Sequence, residues 1–142
     1  MRQFSCVAGI ALLFILSSCN TDKIRVFYIN SYHPGYPPSD ELMDAMMKDL
    51  PSDSFDITVW FLDSKRQPSD DSIKVKTDSI LKRIKLYKPD VIAVSDDNAM
   101  KYLIEPYAAD FNIPVVYCGI NWSADQYRFP DSRLPVYWKY FL

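Results

Sequence analysis

Ser95-Asp96-Asp97-Asn98 is the densest group of chemically able side chains in this sequence. Adjacent carboxylates can fix an amine, while backbone N–H groups at the start of a helix can hold an anionic group. Lys65 and Arg66 can bind a carboxylate. Ser31, Tyr32, His33 and Asn121 add further donors and acceptors. Cys118, next to Gly119, invites comparison with a nucleophile that has His33 as its base. Each feature also has a plainer reading. One of the acids can simply cap a helix, Lys65 and Arg66 can be solvated surface charges, and a cysteine closing a buried strand can be a small apolar filler. His33 is the only histidine and lacks the His/Cys company a zinc site requires. Asp96 and Asp97 have the make-up of a magnesium pair, but with three glycines in the chain no Gly-rich phosphate loop accompanies them. These residues predict a binding site without a catalytic residue, metal or cofactor.

Strands and helices must bring these groups together. Val91-Ile92-Ala93-Val94 runs straight into the Ser-Asp-Asp-Asn group, as expected of a strand buried on both faces that ends at a helix start. Ile24 to Ile29, Phe55 to Leu62 and Pro114 to Cys118 are the other strands. Between the first two, Asn30 to Pro38 forms a loop rich in proline and glycine. Ser39 is the expected N-cap of a helix carrying Leu42, Met43, Met46, Met47 and Leu50 on one face. Pro68-Ser69-Asp70-Asp71 opens a longer helix with Ile73, Ile80, Leu81, Ile84 and Tyr87 in one stripe. Its last turns are crowded with lysine and arginine, which suits the helix dipole. A third helix is predicted over Ala99 to Ala109, kinked or restarted at Pro106.

The pattern β-α-β-α-β-α-β predicts an α/β fold. It implies an open, mostly parallel sheet with right-handed crossovers and helices on both faces. All strand carboxyl ends then point one way, and such sheets bind ligands just outside those ends. The expected ligand-binding set at this rim is Ser31, Tyr32, His33, Lys65, Arg66, Ser95, Asp96, Asp97, Asn98 and Asn121. Tyr32, Tyr36, Trp122 and Tyr127 lie near the same edge in sequence. They can stack on a flat ligand or cover the sheet edge.

Residues 1–18 read as a signal peptide, with Arg2 before an apolar run from Val7 to Leu16. That run is well short of the about 20 residues a membrane-spanning helix needs. Leu16-Ser17-Ser18-Cys19 resembles the bacterial lipobox, which implies a lipid on Cys19, a tether over 19–23 and a place in the bacterial cell envelope, facing the periplasm or exterior. Export argues against the cytoplasmic phosphate chemistry that a magnesium pair would serve. Cys118 is the one cysteine left outside the signal and lipobox, so no disulfide is expected within the mature chain. Of 16 basic and 18 acidic residues, only Arg2 lies in the signal, leaving 15 against 18. That balance offers no footprint for nucleic acid.

Four motifs carry a family resemblance: "NSYHPGYPPSDE", "DSKR", "SDDNA" and "VVYCGIN", one after each strand. From about Ile24 to Trp122 the chain resembles the N-terminal lobe of ABC-transporter-type solute-binding lipoproteins. It also resembles the extracytoplasmic sensor domain of some bacterial histidine kinases. The first resemblance implies a lobe over 24–122 that holds a small-molecule solute, aromatic amino acids among them, and feeds an ABC transporter permease. The second implies the ligand-sensing domain of a signalling receptor. Members of the first family continue into a second lobe. Residues 123–142 show no clear period and are expected to be an irregular tail, the mark of a truncated or frame-shifted copy.

Overall fold

The computed structural model describes residues 22–121 together with 126 and 127. The signal segment, Cys19, Trp122 and the tail from 128 onward lie outside the described residues. Strand β1 (Ile24–Asn30), helix α1 (Pro37–Asp49), β2 (Phe55–Phe61), helix α2 (Asp70–Tyr87), β3 (Val91–Ser95) and β4 (Val115–Cys118) follow in order. Between β3 and β4 lie α3 (Asp96–Ala99), a π-helical turn over Met100–Ile104, the short α4 (Glu105–Tyr107) and a 3-10 turn over Ala108–Asp110. The four strands form one all-parallel sheet in the order β2-β1-β3-β4. The α/β fold with an open parallel sheet is thus as the sequence predicts.

Alternate residues of each strand face opposite sides, and the two sides are built differently. Phe27, Ile29, Ile92, Val94, Val115 and Tyr117 share one side, in register across three strands. They are buried against Ile73, Ile80 and Ile84 of α2 and against Ala99, Met100, Leu103 and Ile104. Phe27 lies parallel to Trp60 with ring centroids 6.2 Å apart, and Tyr87 closes the cluster at 5.8 Å. The other side carries Val26, Tyr28, Asn30 and Ser95, all buried. There α1 is tied down through Ser39, whose hydroxyl donates to Asn30 Oδ1 at 2.6 Å.

Helix boundaries depart from the sequence reading in two places. Helix α1 begins three residues early, with Pro37 in its first turn and Tyr36 at the N-cap. Proline is favoured there because its missing N–H would be unpaired anyway. Ser39 is therefore inside the helix and buried, and its hydroxyl holds the strand instead of a cap. The third helix begins at Asp96, three residues earlier than expected, and passes through the π turn before Pro106. Glu105 N–H reaches back to Met100 O. Pro106 has no N–H, and its ring would crowd the carbonyl four residues back, so a regular α-helical ladder cannot run through it. Ser69 caps α2 as its type suggests, accepting from Ser72 N–H.

Candidate functional site

The chain leaves β1 toward β2 on one side, and leaves β3 toward β4 on the other. Its direction reverses between these two adjacent central strands. Loops that depart in opposite directions leave a crevice outside their carboxyl ends. Ser31 and Tyr32 follow β1 at that point, and Asp96 follows β3.

Hydrogen bonds from Ser31 lock the floor of the crevice. Its buried hydroxyl donates to Ser95 O at 2.5 Å and accepts from Ala99 N–H at 2.8 Å. The second bond lies in the first turn of the third helix, so the end of β1 is tied to a helix that begins 65 residues later in the chain. Tyr28 adds a buried hydroxyl bond to Ser95 Oγ at 2.9 Å. Burial pushes the Tyr28 phenol up to about 12, keeping it a neutral donor.

The β2 loop is fastened to the same floor. Leu62, Asp63 and Ser64 donate their N–H groups to the carbonyls of Asn30, Tyr32 and Ser31. Ser64 Oγ donates to Ser31 O at 2.7 Å and accepts from Asn98 Nδ2 at 2.8 Å. Asp63 adopts a left-handed backbone, φ 58°, a conformation Asp tolerates better than most residues. Its carboxylate takes both arms of Arg66, at 2.7 and 3.0 Å. Those hydrogen bonds hold the Asp63 carboxyl below its usual range. A depressed carboxyl contributes fully above its unfolded value of about 3.8 and loses that contribution as pH falls from there through the lower folded value. Asp63→Asn is therefore expected to be less stable than the parent at pH 7, by a margin that narrows at pH 3. Urea denaturation at the two pH values checks this.

Asp97 and Asp96 have separate tasks. The Asp97 carboxylate accepts from Asn121 N–H at 3.2 Å, from Asn121 Nδ2 at 2.6 Å and from the Tyr127 hydroxyl at 2.6 Å. It pins the loop after β4 and does not cap the helix. Asp96 is left-handed, φ 66°, and half-buried. A β-carbon built on Gly119 would lie 3.8 Å from Asp96 Oδ1 and 3.5 Å from Leu42 of α1. The carboxyl group thus lies beside the β4 loop and α1. Among the described residues no ion pair reaches it. Burial, then the neighbouring Asp97 charge, push it up to about 6, while the Tyr32 hydroxyl and the Lys65 charge pull the other way.

Above Asp96, Tyr32 and Tyr36 meet edge to face with centroids 4.8 Å apart. Lys65 Nζ lies over both rings and bonds the Tyr36 hydroxyl. His33 is tilted against Tyr36, and its Nδ1 stands 3.8 Å from Asp63 Oδ1. Asn30 Oδ1 accepts from Tyr32 N–H and from Ser39, whereas its buried amide nitrogen has no hydrogen-bond partner among the described residues. The Cys118 thiol, pushed up to about 11 by burial and then by the Asp96 charge, donates to Val94 O at 3.7 Å. Among the described residues no group of three or more His, Cys, Asp or Glu is arranged to hold a metal ion.

Of the ten residues expected at the rim, Ser31, Ser95 and Asn98 are bonded into the floor. Arg66 is taken up by Asp63, and Asp97 and Asn121 hold each other. Tyr32, His33, Lys65 and Asp96 remain along the crevice, joined by Tyr36. The structural roles of Asn30, Ser64 and Asp63 carried no local sequence signal, because their partners are remote in the chain.

Comparison with known proteins finds no family model, no curated protein and no solved structure that matches the chain. Among the described residues no helix is long and apolar enough to cross a membrane.

Proposed function

We propose that this chain binds a small solute in the crevice between β1 and β3. On this reading it serves as the N-terminal lobe of a lipid-anchored, substrate-binding component of an ABC-type importer. The observation that carries the proposal is Asp96. A carboxyl group is held left-handed at the point where the strand connections diverge, half out of water and, among the described residues, without an ion pair. A stable fold gains nothing from that arrangement, whereas a ligand that supplies a donor or a positive charge would complete it. Tyr32 and Tyr36 beside it provide rigid apolar surface with polar tips, suited to the body of such a solute.

The chemistry of Cys118 favours binding over catalysis. A thiol held protonated well above neutrality is a weak nucleophile, and among the described residues no His–Cys–carboxylate arrangement stands beside it. The importer role rests on the motif resemblance from Ile24 to Trp122, and the anchor rests on Leu16 to Cys19. Calorimetric titration of the full-length chain with amino acids, amines, carboxylates and sugars tests the binding claim. Saturable heat with at least one class, abolished by competition within that class, is the expected result. Absence of saturable heat with all four would remove the claim. Lipid labelling lost in Cys19→Ala is the corresponding result for the anchor, and equal membrane association of that variant and the parent would overturn it.

A further inference from the structure

Lys65 marks what the crevice is built to hold. Its ammonium nitrogen lies 3.7 Å from the Tyr36 ring centroid and 4.7 Å from that of Tyr32. The two rings stand 71° apart, so they form two walls of a corner rather than a stack. The Tyr36 hydroxyl accepts a hydrogen bond from the same nitrogen. The Tyr32 hydroxyl lies close enough to the Asp96 carboxyl to influence it. Among the described residues no carboxylate pairs with Lys65 within ion-pair distance, and its stem is exposed. Aromatic faces and the nearby Asp96 charge hold the ammonium in place, which is the recognition chemistry of a cation–π site. A flexible surface side chain so held can leave at small cost, because its charge returns to water.

We propose that the corner formed by Tyr32 and Tyr36 above Asp96 is the binding site for an organic ammonium group, and that Lys65 occupies it until the solute displaces it. The inference rests on the solute-binding reading and narrows it to a cationic solute. In the occupied state the ligand ammonium faces both rings and the Asp96 carboxylate, and Lys65 swings into solvent. Two cations do not share the corner, so the lysine lowers the apparent affinity by the fraction of time it fills the site.

The test uses choline as the cationic probe and 3,3-dimethylbutan-1-ol as its neutral isostere. Both are titrated calorimetrically at pH 8 into the full-length chain, its Lys65→Met variant and the double variant Lys65→Met/Tyr36→Leu. Lys65 is exposed and Tyr36 sits at a helix start, so circular dichroism is expected to show parent-like folding for each. Choline is expected to bind Lys65→Met at least fivefold more tightly than the parent. It should bind that variant at least tenfold more tightly than the isostere, with the gain lost in the double variant. Equal or weaker choline binding by Lys65→Met, or equal binding of the isostere, would overturn the proposal. If choline fails while an anionic or neutral solute binds in the crevice, the ammonium assignment falls and the binding reading stands. If nothing binds any of the three chains, both fall.

Discussion

Asp96→Asn is expected to cut solute affinity at least tenfold while making the protein more stable. The binding loss follows from removing a charged partner in a half-buried crevice, worth about 1.5–3 kcal/mol for a hydrogen bond to a charged group. The stability gain follows from the raised carboxyl. A group whose folded value is raised contributes fully below its unfolded value of about 3.8, and that contribution is lost as pH rises through about 6. Ionised Asp96 therefore opposes folding at neutral pH. A shift of that size amounts to about 3 kcal/mol at full strength, and solvent screening at this part-exposed site reduces it to about 1 kcal/mol. Asparagine keeps the shape, accepts the left-handed backbone and carries no charge. The variant should thus exceed the parent by about 1 kcal/mol in urea denaturation at pH 8 and match it near pH 3. A variant that is less stable at pH 8 would show that Asp96 serves the fold.

Ser31→Ala is expected to cost about 2–3 kcal/mol of stability. The hydroxyl bonds Ser95 O and Ala99 N–H, and all three residues are fully buried. Truncation removes both bonds inside the core, where water cannot take the place of the lost hydroxyl. The loss should appear as a lower denaturation midpoint with an unchanged slope, since the folded core remains intact. It should also loosen the end of β3 and weaken solute binding, because Asp96 lies between Ser95 and Ala99, the two residues the hydroxyl holds. A change under 0.5 kcal/mol would mean that the helix start finds another partner.

The strands were legible because β-branched and aromatic runs of Ile24, Phe55, Val91 and Val115 stop at polar residues on the same edge. Boundaries agree within a residue, since period and composition act locally. The third helix was less legible. Pro106 signalled a break, but a missing N–H can be absorbed by a kink, a restart or a π turn, and only packing of Met100, Leu103 and Ile104 against the sheet selects among them. The Ser39 cap was misplaced because Pro37 offers a better first turn and because Asn30 draws the serine hydroxyl inward.

The candidate site divides in the same way. Strand polarity is enough to gather Ser31, Tyr32, His33, Lys65 and Asp96 at one edge of the sheet. Which of them stay available to a ligand depends on contacts spanning tens of residues. Ser31 bonds Ala99 across 68 positions and Asn98 bonds Ser64 across 34. Arg66 is occupied by Asp63 only because that residue turns left-handed after β2. Asp96 and Asp97 are adjacent and chemically alike, yet the backbone twist at Asp96 sends one to the crevice and the other to Asn121.

The most direct test of the central claim is an amide NMR titration of the isotopically labelled full-length chain with the solute that gives the strongest calorimetric response. Saturable shifts concentrated at Ser31 to Tyr36, Asp96 to Asn98 and Gly119 to Asn121 are expected, with the outer turns of α2 unmoved. Saturable shifts centred elsewhere on the fold, or no saturable shift at any of these amides, would contradict a binding crevice between β1 and β3.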